Sequence, residues 1–154
     1  MRAAIGPQTR MIGIHSGGAW LADRLAQMIE HRHQVGYVDV SFYRDDFSRK
    51  GLKPAIKRTQ LPFDVEGAHI VLVDDVLYTG RSVRAAINEL FDFGRPARVE
   101  LAVLVDRGGR ELPIEATHVG ARVDVSPALS IVLSRDAHER FVLATEPAGG
   151  AADA

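Results

Sequence analysis

Cysteine is absent from the chain, which removes disulfides, thiolate nucleophiles and cysteine-ligated zinc or iron–sulfur centres together. Long apolar runs are absent too. Stretches such as Ile70 to Val73 and Leu101 to Val105 fall far short of the roughly 20 apolar residues that cross a bilayer. No charged segment leads into an apolar stretch at the start, so neither a membrane anchor nor export is expected, and the expected location is the cytoplasm. An excess of one charge sign is lacking: 19 basic residues face 20 acidic ones, a formal −1. Whole-molecule attraction to nucleic acid or anionic lipid is therefore not implied, and any anion site must be local. Lysine is scarce, with Lys50, Lys53 and Lys57 all in one stretch.

What is present reads as one globular domain. The chain has 154 residues, 46% hydrophobic and 25% charged, enough for a sizeable core and too short for two separate ones. Residues 1–147 are taken as that domain, and the tail 148–154, without large apolar side chains, as disordered. An apolar run from Arg10 to His15 ends at Gly17-Gly18, after which Leu21, Leu25, Met28 and Ile29 recur at helical spacing. Val38, Val40 and Phe42 alternate with polar neighbours as in a half-buried strand. His69 to Asp74 is an apolar strand. A helix carrying Val83, Ile87, Leu90 and Phe91 follows it, stopped by Gly94 and Pro96. Arg98 to Val105 is another buried strand, and short strands near 117–119, 130–133 and 140–144 are expected to complete the sheet. The alternation predicts an α/β domain with a mainly parallel central sheet flanked by helices. Between them, Arg44 to Gly67 shows little periodicity and reads as a long mobile loop.

The segment Val71-Leu72-Val73-Asp74-Asp75-Val76-Leu77-Tyr78-Thr79-Gly80-Arg81-Ser82-Val83 carries the chemistry. In open α/β sheets ligands sit beyond the carboxyl ends of strands, and two adjacent carboxylates lie at such an end, ahead of a tight turn into a helix. Gly80 permits close approach, the first N–H groups of the helix point outward, and Thr79 and Ser82 add hydroxyls, a set suited to a monophosphate dianion. No Gly-Lys-Ser/Thr follows, so this is not a Walker A loop. Ionised Asp only accepts hydrogen bonds, which suits vicinal sugar hydroxyls and Mg2+ waters. His15 beside Ser16 does not read as a nucleophile and base, because strand neighbours point apart. His31 and His33 are attributed to the helix end, as cationic or exposed histidines in favourable contact with its dipole.

These thirteen residues resemble the phosphoribosyl pyrophosphate (PRPP) signature of type I phosphoribosyltransferases. The longer run to Arg95, with Ser41-Phe42-Tyr43-Arg44-Asp45-Asp46 before it and Leu101-Ala102-Val103-Leu104-Val105-Asp106-Arg107-Gly108 after it, resembles the PyrR family. That resemblance implies the type I phosphoribosyltransferase fold with a lid loop over 44–67, and a pentosyltransferase making UMP and diphosphate from uracil and PRPP. It also implies a homo-oligomer that regulates pyrimidine gene expression. Mg2+ would be held through the diphosphate and ribose hydroxyls, with no direct protein ligand. By position, Asp74 and Asp75 would be catalytic, on the ribose hydroxyls. Val76, Leu77, Tyr78, Thr79, Gly80, Arg81 and Ser82 would wrap the 5′-phosphate, and Ser16 and Gly17 would meet the diphosphate. Tyr43, Arg44 and the basic stretch to Arg58 would form the lid, and Val105, Asp106 and Arg107 would lie at the base. Between Tyr43 and Gln60 six basic side chains face two acidic ones, the asymmetry a diphosphate clamp needs.

Two other readings stay open on these residues: an RNA-binding attenuation regulator sensing UMP or UTP in the same pocket, and a phosphoribosyltransferase for another nucleobase. The chain departs from the family pattern at His15-Ser16-Gly17-Gly18, where many members resemble Lys-Thr-Arg-Gly, and at Gly109, where many carry His. Only Met1 to Thr9 precede the first strand, where members usually have a helical arm. A basic face for pyrimidine-leader RNA would have to draw on Arg2, Arg10, Arg107 and Arg110, so RNA binding is expected to be the weaker activity.

Overall fold

The computed structural model describes residues 5–41 and 59–149. In chain order the elements are β1 (Thr9–Ile14), α1 (Gly17–Met28), β2 (Gly36–Val38), β3 (His69–Leu77), α2 (Arg81–Phe93), β4 (Arg98–Asp106), β5 (His118–Arg122), β6 (Leu129–Arg135) and β7 (Phe141–Pro147). Five strands form one sheet in the order β2-β1-β3-β4-β5, with every neighbouring pair parallel. A parallel sheet needs cover on both faces, which is why its central strands are continuously apolar rather than alternating. Along β3, Ile70 and Leu72 pack with Val83, Ala86 and Leu90 of α2, whereas Val71 and Val73 pack with Leu21 and Ala22 of α1. The chain order reverses between β1 and β3, so the crevice beyond their carboxyl ends is the switch point where such sheets bind ligands.

Several expectations need correction. Residues 129–147 do not complete the sheet: β6 and β7 form a separate antiparallel hairpin, which sets Leu133 and Phe141 against the α1 side of the core. An apolar run is equally compatible with either placement, and only the tertiary partner decides it. β3 does not stop at Asp74 but runs through both carboxylates to Leu77, paired with β4 as far as Leu77 with Asp106. β2 is only three residues long, and the expected alternation beyond Ser41 lies outside the described residues, as do Tyr43, Arg44 and Arg58. On the helices, Val83 and Leu90 are buried as predicted, but Met28 and Phe91 are 63% and 52% exposed. Ala148 N–H donates to the Ala128 carbonyl at 2.7 Å.

At His31, burial, then His33 and Arg10 nearby, push the pKa below the ordinary value. At the amino ends of β3 and β4, Glu100 accepts from His69 at 2.7 Å and from Arg98 at 2.9 Å. Burial would raise the Glu100 pKa, but these two partners outweigh it and hold it below the usual value.

Candidate active site

Three loops converge at the carboxyl ends of β1, β3 and β4. The first is the turn from β1 into α1. His15 N–H donates to the Val38 carbonyl at 2.9 Å, and the Ser16 carbonyl accepts from Ala19 and Trp20 as α1 begins. Glycine is required here by packing: a β-carbon on Gly17 would overlap the Asp75 carboxylate, and one on Gly18 would overlap the Val73 carbonyl. The turn of Ser16 and Gly17 is thus brought against Asp75. Two residues the sequence did not single out support this turn. Tyr37 stacks on the His15 ring with centroids 5.4 Å apart, and its hydroxyl donates to Asp23 of α1. Burial, together with that carboxylate, pushes the Tyr37 phenol up to about 12.

Asp74 and Asp75 are consecutive strand residues, so their side chains leave opposite faces of β3. Asp74 is 4% exposed and Asp75 is half-buried. Each commits its Oδ1 to the following backbone N–H, Asp75 N at 2.9 Å and Val76 N at 2.8 Å. Asp75 turns Oδ2 toward Gly17. Val76 and Leu77 are core residues, 6% and 1% exposed, so any part they play in a phosphate loop is by backbone alone.

The phosphate-type turn itself occupies residues 78–82. Gly80 starts α2 in the left-handed conformation with φ 92°, which glycine adopts without steric cost. Arg81 N–H donates to Thr79 Oγ1 at 3.3 Å, and Ser82 is buried in the first turn. The N–H groups and dipole at this helix start favour an anion. The Arg81 guanidinium points away, to Glu111 at 2.8 Å on the surface.

At the end of β4, Val105, Asp106 and the following Arg107 are each under a tenth exposed. The Arg107 guanidinium lies 4.0 Å from the Tyr78 ring centroid and donates to the carbonyls of Leu129 at 2.8 Å and Ser126 at 3.1 Å. Asp106 is engaged by Gly108 N–H at 3.0 Å and by Arg110 Nη2 at 2.7 and 2.8 Å. Burial would raise the Asp106 pKa, but Arg110 and the Gly108 N–H outweigh it and hold it below its ordinary value. Both side chains are spent inside the protein, so what the end of β4 can show a planar base is backbone. Arg110 was legible only as part of an Arg-Gly-Gly-Arg loop; its 106/110 spacing to Asp106 was the available signal. Among the described residues no cluster of three His, Asp or Glu side chains forms a metal cage, and no helix is long and apolar enough to cross a membrane.

A parallel 2-1-3-4-5 sheet, with two carboxylates near the end of β3 and a glycine-started helix at its switch point, is the arrangement of a type I phosphoribosyltransferase. Residues 6–127 match the phosphoribosyl transferase domain family. The protein named bifunctional protein PyrR from Nitrosococcus oceani is 53% identical over 126 residues, covering 80% of this chain and 71% of that protein. Its namesake from Ralstonia nicotianae is 54% identical over 138 residues, 88% of this chain and 79% of that one. Among solved structures, a hypoxanthine-guanine phosphoribosyltransferase from Bacillus anthracis shares the fold at a TM-score of 0.64 and 18% identity, over 83% of this chain and 73% of its own. The chain belongs to the phosphoribosyl transferase domain family and, within it, to the PyrR proteins.

Proposed function

We propose that this protein transfers the 5-phosphoribosyl group of PRPP to uracil, giving UMP and diphosphate, in the cytoplasm and as a homo-oligomer. The observation that carries this reading is the meeting of Asp75 with the Ser16 and Gly17 turn across the β1/β3 crevice, beside the glycine-started helix α2. A phosphorylated sugar laid there would find an anion site at one end, a carboxylate at its middle and a second backbone turn at the other. Asp74 and Asp75 take the 2′- and 3′-hydroxyls, Val76 to Ser82 the 5′-phosphate, Ser16 and Gly17 the diphosphate, and the backbone of Val105, Asp106 and Arg107 the base. The exposed Phe91 and Phe93, 52% and 51% accessible, are apolar surface that self-association would cover.

The reaction breaks the C1′–O bond to diphosphate, forms a C1′–N bond to uracil and releases the uracil N–H proton. Positive charge develops on the ribose ring as diphosphate departs, so the protein's task is to position and to stabilise charge rather than to attack. The negative charge of the two carboxylates near the ring balances that charge. The donor set fits Mg2+ held through water, the diphosphate and the ribose hydroxyls, because each carboxylate already gives one oxygen to the backbone. Bound so, the ion supplies charge neutralisation for the leaving group. The residues assigned to a lid, Tyr43, Arg44 and Arg58, lie outside the described residues.

The second reading, a regulator that binds pyrimidine-leader RNA, is favoured by the bifunctional name its relatives carry. Against a strong RNA activity, Arg107 and Arg110 direct their guanidinium groups inward. The base is tested by offering uracil, cytosine, hypoxanthine, guanine and orotate with PRPP and Mg2+ and following diphosphate. Release with uracil supports the reading, and release with a purine alone replaces it.

A further inference from the structure

A phosphate-binding turn must show the anion its N–H groups, and its carbonyls must then find donors on the other side. The trans peptide is planar, with C=O and N–H pointing opposite ways. Whatever grips the Tyr78 carbonyl therefore aims the Thr79 N–H, and whatever grips the Thr79 carbonyl aims the Gly80 N–H. The strap after β4 grips both. Arg110 Nη1 donates to the Tyr78 carbonyl at 2.9 Å, and the N–H groups of Glu111 and Leu112 donate to the Thr79 carbonyl at 3.0 and 3.1 Å.

We infer that Arg110 is a positioning residue that aims the phosphate turn at its ligand and ties that turn to the base-facing end of β4. Its guanidinium has a partner in each direction. Nη2 lies against both oxygens of Asp106, the last residue of β4, while Nε donates to the Ile114 carbonyl at 2.9 Å. One planar group thus fixes the strand end, the phosphate turn and the return of the strap relative to one another. Lysine carries one compact charge and cannot serve three divergent acceptors. The neighbouring Gly109 completes the arrangement. Its φ is 72° and a β-carbon there would overlap the Tyr78 ring, so glycine lets Tyr78 settle between the strap and the Arg107 guanidinium.

This inference rests on the proposed phosphoribosyl site, and ribose 5-phosphate separates the two, since it needs the turn but no base. Wild-type protein should bind ribose 5-phosphate in calorimetry. Arg110→Lys, which retains a cation for Asp106, should bind it roughly tenfold more weakly, the equivalent of one charge-assisted hydrogen bond. The KM for PRPP should rise by a similar factor while the KM for uracil stays within about twofold. Because a lysine could leave Asp106 poorly paired, the paired change Asp106→Asn/Arg110→Gln, which removes both charges together, serves as a second variant with the same expected loss. A folded variant of either kind that binds ribose 5-phosphate within about twofold of wild type, or an Arg110→Lys protein that loses PRPP and uracil equally, overturns the inference. So does a wild-type protein that does not bind ribose 5-phosphate. Binding of ribose 5-phosphate without turnover of uracil refutes the substrate assignment alone, and Arg110→Lys then still decides the role of Arg110.

Discussion

Gly17 lies so close to Asp75 that a β-carbon at residue 17 would overlap the Asp75 carboxylate. The backbone of the β1 turn and the second carboxylate of β3 thus form one wall of the crevice. Gly17→Ala should force Asp75 or the start of α1 aside. We expect kcat/KM for PRPP to fall roughly 10- to 100-fold, the scale of a misplacement near 1 Å. A steady-state assay on the folded variant checks this.

Asp74 and Asp75 should act mainly on the reaction and little on the fold. Replacing both with Asn keeps their size and removes the negative charge near the ribose, and turnover is expected to fall by about 10²- to 10³-fold, as when a preorganised electrostatic partner is lost. Thermal unfolding measured alongside should show a folded variant. The backbone N–H groups of Asp75 and Val76 can still donate to the Asn side-chain oxygens.

The carboxylate pair and the glycine turns were legible in the sequence because their chemistry is local: Asp-Asp followed by Thr-Gly-Arg-Ser reads the same in any context. Two things hid the rest. Asp74 and Asp75 look like a strand end because charged residues seldom continue a buried strand, yet pairing with β4 carries β3 on to Leu77. The brace from Arg110 to Tyr78 spans 32 positions, and no periodicity reports a contact between two loops. The β6/β7 hairpin was missed for the same reason, since an apolar run does not name its partner.

The Asp106 and Arg110 pair makes stability depend on pH in a definite direction. The folded-state pKa of Asp106 is lowered, so its contribution is fully present above the unfolded value of about 3.9 and is lost as pH falls through the folded value. Asp106→Asn should therefore lower Tm at pH 7, and the gap to wild type should close in strong acid. Calorimetric scans from neutral pH downward would show it; a gap that widens in acid contradicts the pairing.

RNA binding should be weak and steeply salt-dependent. With a formal charge of −1 and the guanidinium groups of Arg107 and Arg110 turned inward, two of the four arginines named for an RNA face are not presented to the phosphates of a hairpin. Titrating pyrimidine-leader RNA at physiological salt, with and without UMP, is expected to give low affinity. Tight, UMP-enhanced binding would instead make regulation the leading activity.

The central claim is tested most directly by incubating the protein with PRPP, uracil and Mg2+ and quantifying UMP and diphosphate together. The account predicts that the two appear in equal amounts and that Asp74→Asn/Asp75→Asn nearly abolishes both. PRPP left intact in the presence of uracil, or UMP formation that survives the double substitution, would contradict it.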